Sequence, residues 1–132
     1  MDELLLDTDM VSEVFKRVDQ VVVANADDYL LVHGELAFSL VTKYEMLRGL
    51  KWKGAAIQLA KFNSICSSAR ILGVDDAIVE RASQLWADAV NSGKPSRSSD
   101  ILIAATALEH NLALCTGNSD HFSWIPGLRL VN

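Results

Sequence analysis

The chain is 132 residues long, half of them hydrophobic, with a formal net charge of −5. That length suits one compact domain with a real core, so residues 1–132 are expected to form a single unit. Its apolar runs are too short to span a bilayer, no basic region leads into an apolar stretch near Met1, and Cys66 and Cys115 have no metal-ligand spacing, so a membrane, secreted or zinc-bound protein is not expected and a reducing cytoplasm is.

Leu4–Leu6 is a short apolar run, as expected of a buried parallel strand. Asp7-Thr8-Asp9 follows as a turn or cap signal, with Asp9 favoured as the cap, and Val11–Val18 has helical spacing. Residues 21–31 are ambiguous: Val21-Val22-Val23 favours strand, Ala24–Leu31 favours helix, and His33-Gly34 breaks the segment. Leu36–Val41 reads as a second strand and Thr42–Leu50 as a helix. Ala55–Leu72 has helical periodicity up to Gly73. Asp75 or Asp76 caps a long helix to Val90, closed by Asn91-Ser92-Gly93. A loop with Pro95 precedes an apolar helix over Asp100–Glu109. Leu112–Cys115 is a strand followed by a polar turn, and Leu128–Val131 is a last edge strand. This alternation predicts a three-layer α/β/α sandwich around a mostly parallel sheet.

Four acid-bearing segments fall at strand-to-helix junctions: Leu4–Asp9, Thr42–Glu45, Ser98–Ile101 and Cys115–Asp120. In an alternating α/β fold such junctions meet at one end of the sheet, where ligands bind. Carboxylates gathered there repel one another unless a cation holds them, and Mg²⁺ or Mn²⁺ prefers oxygen ligands. Each acid also has a local role open to it. Asp7 and Asp9 are turn or cap residues, Thr42 and Glu45 match a capping box, and Asp100 suits the dipole of a first helical turn. Thr116 and Asn118 can bond a phosphate, and Asp120 can serve as a fourth carboxylate. His33, His110 and His121 read as structural, and Trp52, Trp86 and Trp124 as core or interface packing residues, with base stacking also open to Trp52 between Lys51 and Lys53.

The charge is unevenly spread. Residues 1–42 carry nine acids against two bases, whereas residues 43–70 carry six bases (Lys43, Arg48, Lys51, Lys53, Lys61, Arg70) around one acid, Glu45. A solvated helix face explains this, and so does a phosphate-facing surface, because fixed cations attract polyanions even on an acidic protein.

Taken in order, Leu5–Asp9, Ser39–Glu45 with Gly49, Asp100–Ala107, Leu114–Asn118, His121-Phe122 and Ile125–Leu128 resemble the PIN-domain ribonucleases, and most closely the VapC-like toxins of bacterial toxin–antitoxin pairs. The resemblance spans nearly the whole chain. It implies a homodimeric endoribonuclease that hydrolyses RNA with water activated by Mg²⁺ or Mn²⁺ and is held in check by a small antitoxin. Asp7 and Asp100 are similar to that family's principal metal ligands, and Glu45 to its third acid. The fourth position stays open between Asn118 and Asp120. Two other readings accompany it. One is a PIN domain weakened in catalysis that binds RNA or protein. The other is a haloacid-dehalogenase-type phosphatase, with Asp7 as nucleophile and Asp9 as acid/base, although only sixteen residues follow Thr116 and none is the required Lys.

Overall fold

The computed structural model describes residues 2–132. Its central sheet has five strands: β1 (Leu4–Leu6), β2 (Ala37–Ser39), β3 (Arg70–Leu72), β4 (Ala113–Cys115) and β5 (Leu130–Val131). Their spatial order is β3-β2-β1-β4-β5, and every neighbouring pair is parallel. The helices are α1 (Thr8–Lys16), α2 (Gln20–His33), α3 (Leu40–Trp52), α4 (Ala56–Ser68), α5 (Asp76–Ser92) and α6 (Ser98–Glu109). The chain winds outward from β1 to β3, then crosses back to lay β4 on the other side of β1. The strand order therefore reverses at β1, where an open parallel sheet leaves a crevice at its carboxyl end.

The two-residue period of a strand sorts the core into two layers. Leu6, Phe38 and Cys115 pack with Val11 and Phe62 against α1, α3 and α4. Leu5, Ala37 and Leu114 face the other way and pack with Ile78, Leu85, Ile101 and Ile103 of α5 and α6. Phe38, Phe62 and Phe122 are fully buried, each contributing on the order of 2–3 kcal/mol of apolar burial. The three-layer α/β/α expectation is met.

Several boundaries differ from expectation, each for a local reason. α1 starts at Thr8, three residues before its apolar spacing suggests, because Asp7 caps it: Asp7 Oδ1 accepts from the Met10 amide at 2.8 Å. Asp9 lies within the first turn and is not the cap. Residues 20–33 are helical despite three consecutive valines, since Asp19 caps that end and Gly34, at φ 81°, ends it. β2 stops at Ser39, whose hydroxyl accepts from the Val41 amide at 3.0 Å and starts α3 two residues before Thr42. The segment expected as one helix over Ala55–Leu72 instead divides into α4 and β3, with Ala69 extended between them. Asp75, rather than Asp76, caps α5, and α6 begins at Ser98.

Candidate active site

Asp7 follows β1 directly, and the register carries through it: its amide donates to the Cys115 carbonyl at 3.1 Å. The residue is only 4% exposed. One carboxylate oxygen caps α1, and the other accepts from the Thr116 hydroxyl at 2.5 Å. Burial pushes the Asp7 carboxyl above its ordinary value, against the two hydrogen bonds, and the negative charges of Asp9 and Asp100 push the same way.

Glu45 approaches from α3. Because Ser39 has already capped that helix, the expected capping box between Thr42 and Glu45 does not form. Thr42 is buried within the first turn, and its hydroxyl lies 3.1 Å from that of Thr8. Thr8 in turn donates to Glu45 Oε1 at 2.7 Å. Glu45 Oε2 lies 3.3 Å from Arg97 and 3.6 Å from Arg48, and its side chain is 9% exposed.

Asp100 stands in the first turn of α6, half-buried, with His121 Nδ1 3.3 Å from its Oδ2. Burial raises its carboxyl above the usual range; Arg97 and His121 oppose this, and Glu45 adds to it. His121 therefore faces a site carboxylate rather than filling a purely structural position. It belongs to a short 3₁₀ turn over Ser119–His121, and its carbonyl accepts from the Trp124 indole.

Thr116 and Asn118 follow β4. The Asn118 amide donates to the Thr116 hydroxyl at 2.9 Å, and its side-chain NH₂ donates to Asp9 Oδ2. Asn118 and Asp9 thus form an exposed lip beside Asp7. Asp120 is exposed in the 3₁₀ turn, and no hydrogen bond or ion pair among the described residues includes it.

The fold accordingly draws Asp7, Glu45, Asp100, Thr116 and Asn118 from four distant segments to the carboxyl end of β1. Among the described residues, no three His, Cys, Asp or Glu side chains stand close enough to hold one ion as they are arranged. The donor set nevertheless suits a hard cation. Its members are carboxylate oxygens, and burial and neighbouring acids raise the carboxyls of Asp7 and Asp100 above their ordinary values, a cost that a bound cation would offset. Beside Glu45 lies an open groove of about 530 Å³, with Leu40, Val41, Val74 and Leu102 in its wall and Arg48 and Arg97 at its rim.

A family model for the PIN domain matches residues 4–127. The chain belongs to the PIN domain family. That match decides between the PIN and phosphatase resemblances in favour of the first. Among curated protein sequences none matches. Among solved structures, this PIN domain superposes on a chain of VapBC2 from Rickettsia felis bound to a fragment of promoter DNA, with a TM-score of 0.86, 22% identity and coverage of 98% of this chain and 97% of that one. It superposes on a chain of FitAcB from Neisseria gonorrhoeae with a TM-score of 0.80 and 27% identity over 98% and 96% of the two chains. A toxin–antitoxin complex from Klebsiella pneumoniae gives a TM-score of 0.74 and 26% identity over 98% and 96%.

Thr8 and Arg97 enter this PIN-domain site without a local signal, and His121, expected as structural, faces Asp100. Thr8 was hidden inside the acidic turn that contains it. Arg97 and His121 reach their partners across the fold, and no local pattern encodes either contact. The basic segment also divides. Arg48 borders the site, but the Arg70 amide bonds to Leu36 and its guanidinium faces Glu3, at the amino end of the sheet. Trp52, at the end of α3, is 87% exposed and is not a core residue, which leaves interface packing or base stacking as its expected roles.

Proposed function

We propose that this PIN domain is a metal-dependent endoribonuclease and the toxin of a toxin–antitoxin pair. One observation carries the reading: in a PIN-family chain, Asp7 and Asp100 are gathered at the carboxyl end of a parallel sheet with Glu45 beside them, and burial raises the first two above their ordinary value. Asp7, Asp100 and Glu45 would hold Mg²⁺, with Mn²⁺ as a substitute. Such an ion neutralises phosphate charge and lowers the pKa of water at neutral pH.

The chain's own groups supply the rest. The cap and the Thr116 hydroxyl fix both oxygens of Asp7. Thr8 holds Glu45, which orients or deprotonates the attacking water; the water oxygen bonds to phosphorus as the bond to the 3′ oxygen breaks, and that oxygen takes a proton from solvent. Asn118 and Thr116 position the phosphate, and Arg48 and Arg97 attract the strand. The Klebsiella pneumoniae toxin–antitoxin complex supports an antitoxin partner, which in this proposal is a small protein that covers the acidic pocket. A homodimer acting in the cytoplasm completes the proposal.

Purified protein is expected to cut single-stranded RNA with Mg²⁺ or Mn²⁺ and to stop with EDTA. Asp7→Ala and Asp100→Ala should each abolish cleavage while circular dichroism shows the fold retained. If both variants cut at the wild-type rate, the site is misassigned. A second reading, a PIN domain that binds RNA or protein without cutting, draws on Asn118, an amide at the open fourth position. RNA binding by wild-type protein with no metal-stimulated cleavage would favour it.

A further inference from the structure

Glu45 differs from Asp7 and Asp100 in that its charge is already answered from within the chain. Its Oε1 is held by Thr8, and its Oε2 faces two guanidinium groups. The two arginines are not equivalent. Arg48 sits three residues from Glu45 on the same helix and stacks over the Tyr44 ring, 5.2 Å from its centre. Arg97 comes from the loop before α6, has an extended backbone, and is 63% exposed along its side chain; Glu45 is its one ion-pair partner among the described residues. Its charge also reaches Asp100, three residues on. One solvent-facing cation therefore stands between two of the three acids that the metal reading needs. A divalent cation placed among those acids would repel it.

We infer that Arg97 is an exchangeable counter-ion, which holds Glu45 while the acidic cluster lacks a divalent cation and turns to an RNA phosphate when Glu45 turns to the ion. This rests on the metal-dependent ribonuclease reading. Geometry favours the exchange. Both oxygens of Glu45 are engaged within the chain, Oε1 by Thr8 and Oε2 by the two arginines, so Glu45 can turn to an ion only by giving up one of these partners. Arg97 lines the same groove as Ser98 and Ser99, where a phosphate would find a planar fork of donors.

The exchange makes two effects of one substitution run in opposite directions. Calorimetric titration of Mn²⁺ into wild type, Arg97→Ala and Arg97→Lys is the first measurement. Loss of an exposed competing ion pair should tighten Mn²⁺ binding in Arg97→Ala roughly two- to fivefold, with Arg97→Lys near wild type. Steady-state cleavage of an RNA oligonucleotide at saturating Mn²⁺ is the second. KM should rise about tenfold in Arg97→Ala, more than kcat falls, for loss of a charged hydrogen bond. Unchanged or weaker Mn²⁺ binding in Arg97→Ala overturns the inference whatever its Tm, since loss of a merely structural ion pair gives no tighter binding. Tighter Mn²⁺ binding with an unchanged KM overturns the transfer to phosphate. Wild-type protein that binds no Mn²⁺ defeats the metal reading itself. Wild-type protein that binds Mn²⁺ but cuts no RNA defeats the ribonuclease reading alone and leaves the counter-ion role to the calorimetry.

Discussion

Replacing Asp7 with Asn should abolish activity and leave the protein at least as stable as wild type at pH 7. Asn caps a helix about as well as Asp, so its side-chain oxygen keeps the bond to the Met10 amide. Its NH₂ then donates to the Thr116 hydroxyl, which already accepts from Asn118 and has a second lone pair. The substitution removes a buried charge and replaces the bond that the Thr116 hydroxyl donates by one that it accepts. Asp7 is raised in the folded state, chiefly by burial, so its ionisation opposes folding. Between the unfolded value of 3.8 and the raised folded value, the folded chain binds more protons, and stability falls as pH rises. The advantage of Asp7→Asn should therefore be largest near pH 7 and close as pH falls through the folded pKa towards 3.8. Asp7→Ala behaves differently. It loses the cap, about 1 kcal/mol, and strips the Thr116 hydroxyl of its partner, roughly another 1 kcal/mol. For a chain of 132 residues that places its Tm roughly 6–10 °C below that of Asp7→Asn. Thermal unfolding in EDTA from pH 4 to pH 8 measures all three proteins. An Asp7→Asn protein less stable than wild type by the same amount at every pH would refute the reasoning.

Thr8→Val keeps the shape of the side chain but frees Glu45 Oε1; cleavage should fall roughly ten- to a hundredfold, and Thr8→Ser should recover most of it. A Thr8→Val protein with wild-type kcat would remove Thr8 from the site. Mn²⁺ at about 100 times its Kd should stabilise wild type by about 2.7 kcal/mol at pH 7, seen as a higher Tm. Because Asp7 and Asp100 are both raised, protons should displace the ion at a higher pH than ordinary carboxylates would allow. A Tm gain that stays constant from pH 8 to pH 4 would contradict this. Arg70→Ala should change RNA cleavage less than twofold, while Arg48→Ala raises KM severalfold; equal losses in the two would show that RNA also runs past the amino end of the sheet.

The parts of the fold legible in the sequence were those written in local periodicity. The apolar run at Leu4–Leu6, the caps at Asp75 and Gly93 and the apolar helix after Asp100 all lie near where their residue types put them. β3 was not legible, because Arg70-Ile71-Leu72 continues the apolar pattern of α4 with no Gly or Pro between; only pairing with β2 makes it a strand. The Thr42–Glu45 capping box failed through competition. Ser39 offered an earlier cap, and Thr8 offered Glu45 a better partner than its own helix. The acids were legible as residues at junctions, but their counter-ions were not. Arg97 lies 52 residues from Glu45, and only the winding of the sheet brings them together.

The three consecutive leucines of β1 pair with Ala113, Leu114 and Cys115, yet nothing in a uniform Leu-Leu-Leu run distinguishes one alignment from the next. Slipping by one residue would leave leucine opposite β4 and change the hydrophobic content of the sheet very little. What such a slip cannot tolerate is its flank. It would draw the Asp7 carboxylate into the strand, away from the Met10 amide and the Thr116 hydroxyl, or push it beyond both. The alignment of the central strand is thus proofread by a proposed metal ligand, and a chain that misaligns β1 loses a helix end and that ligand in the same event.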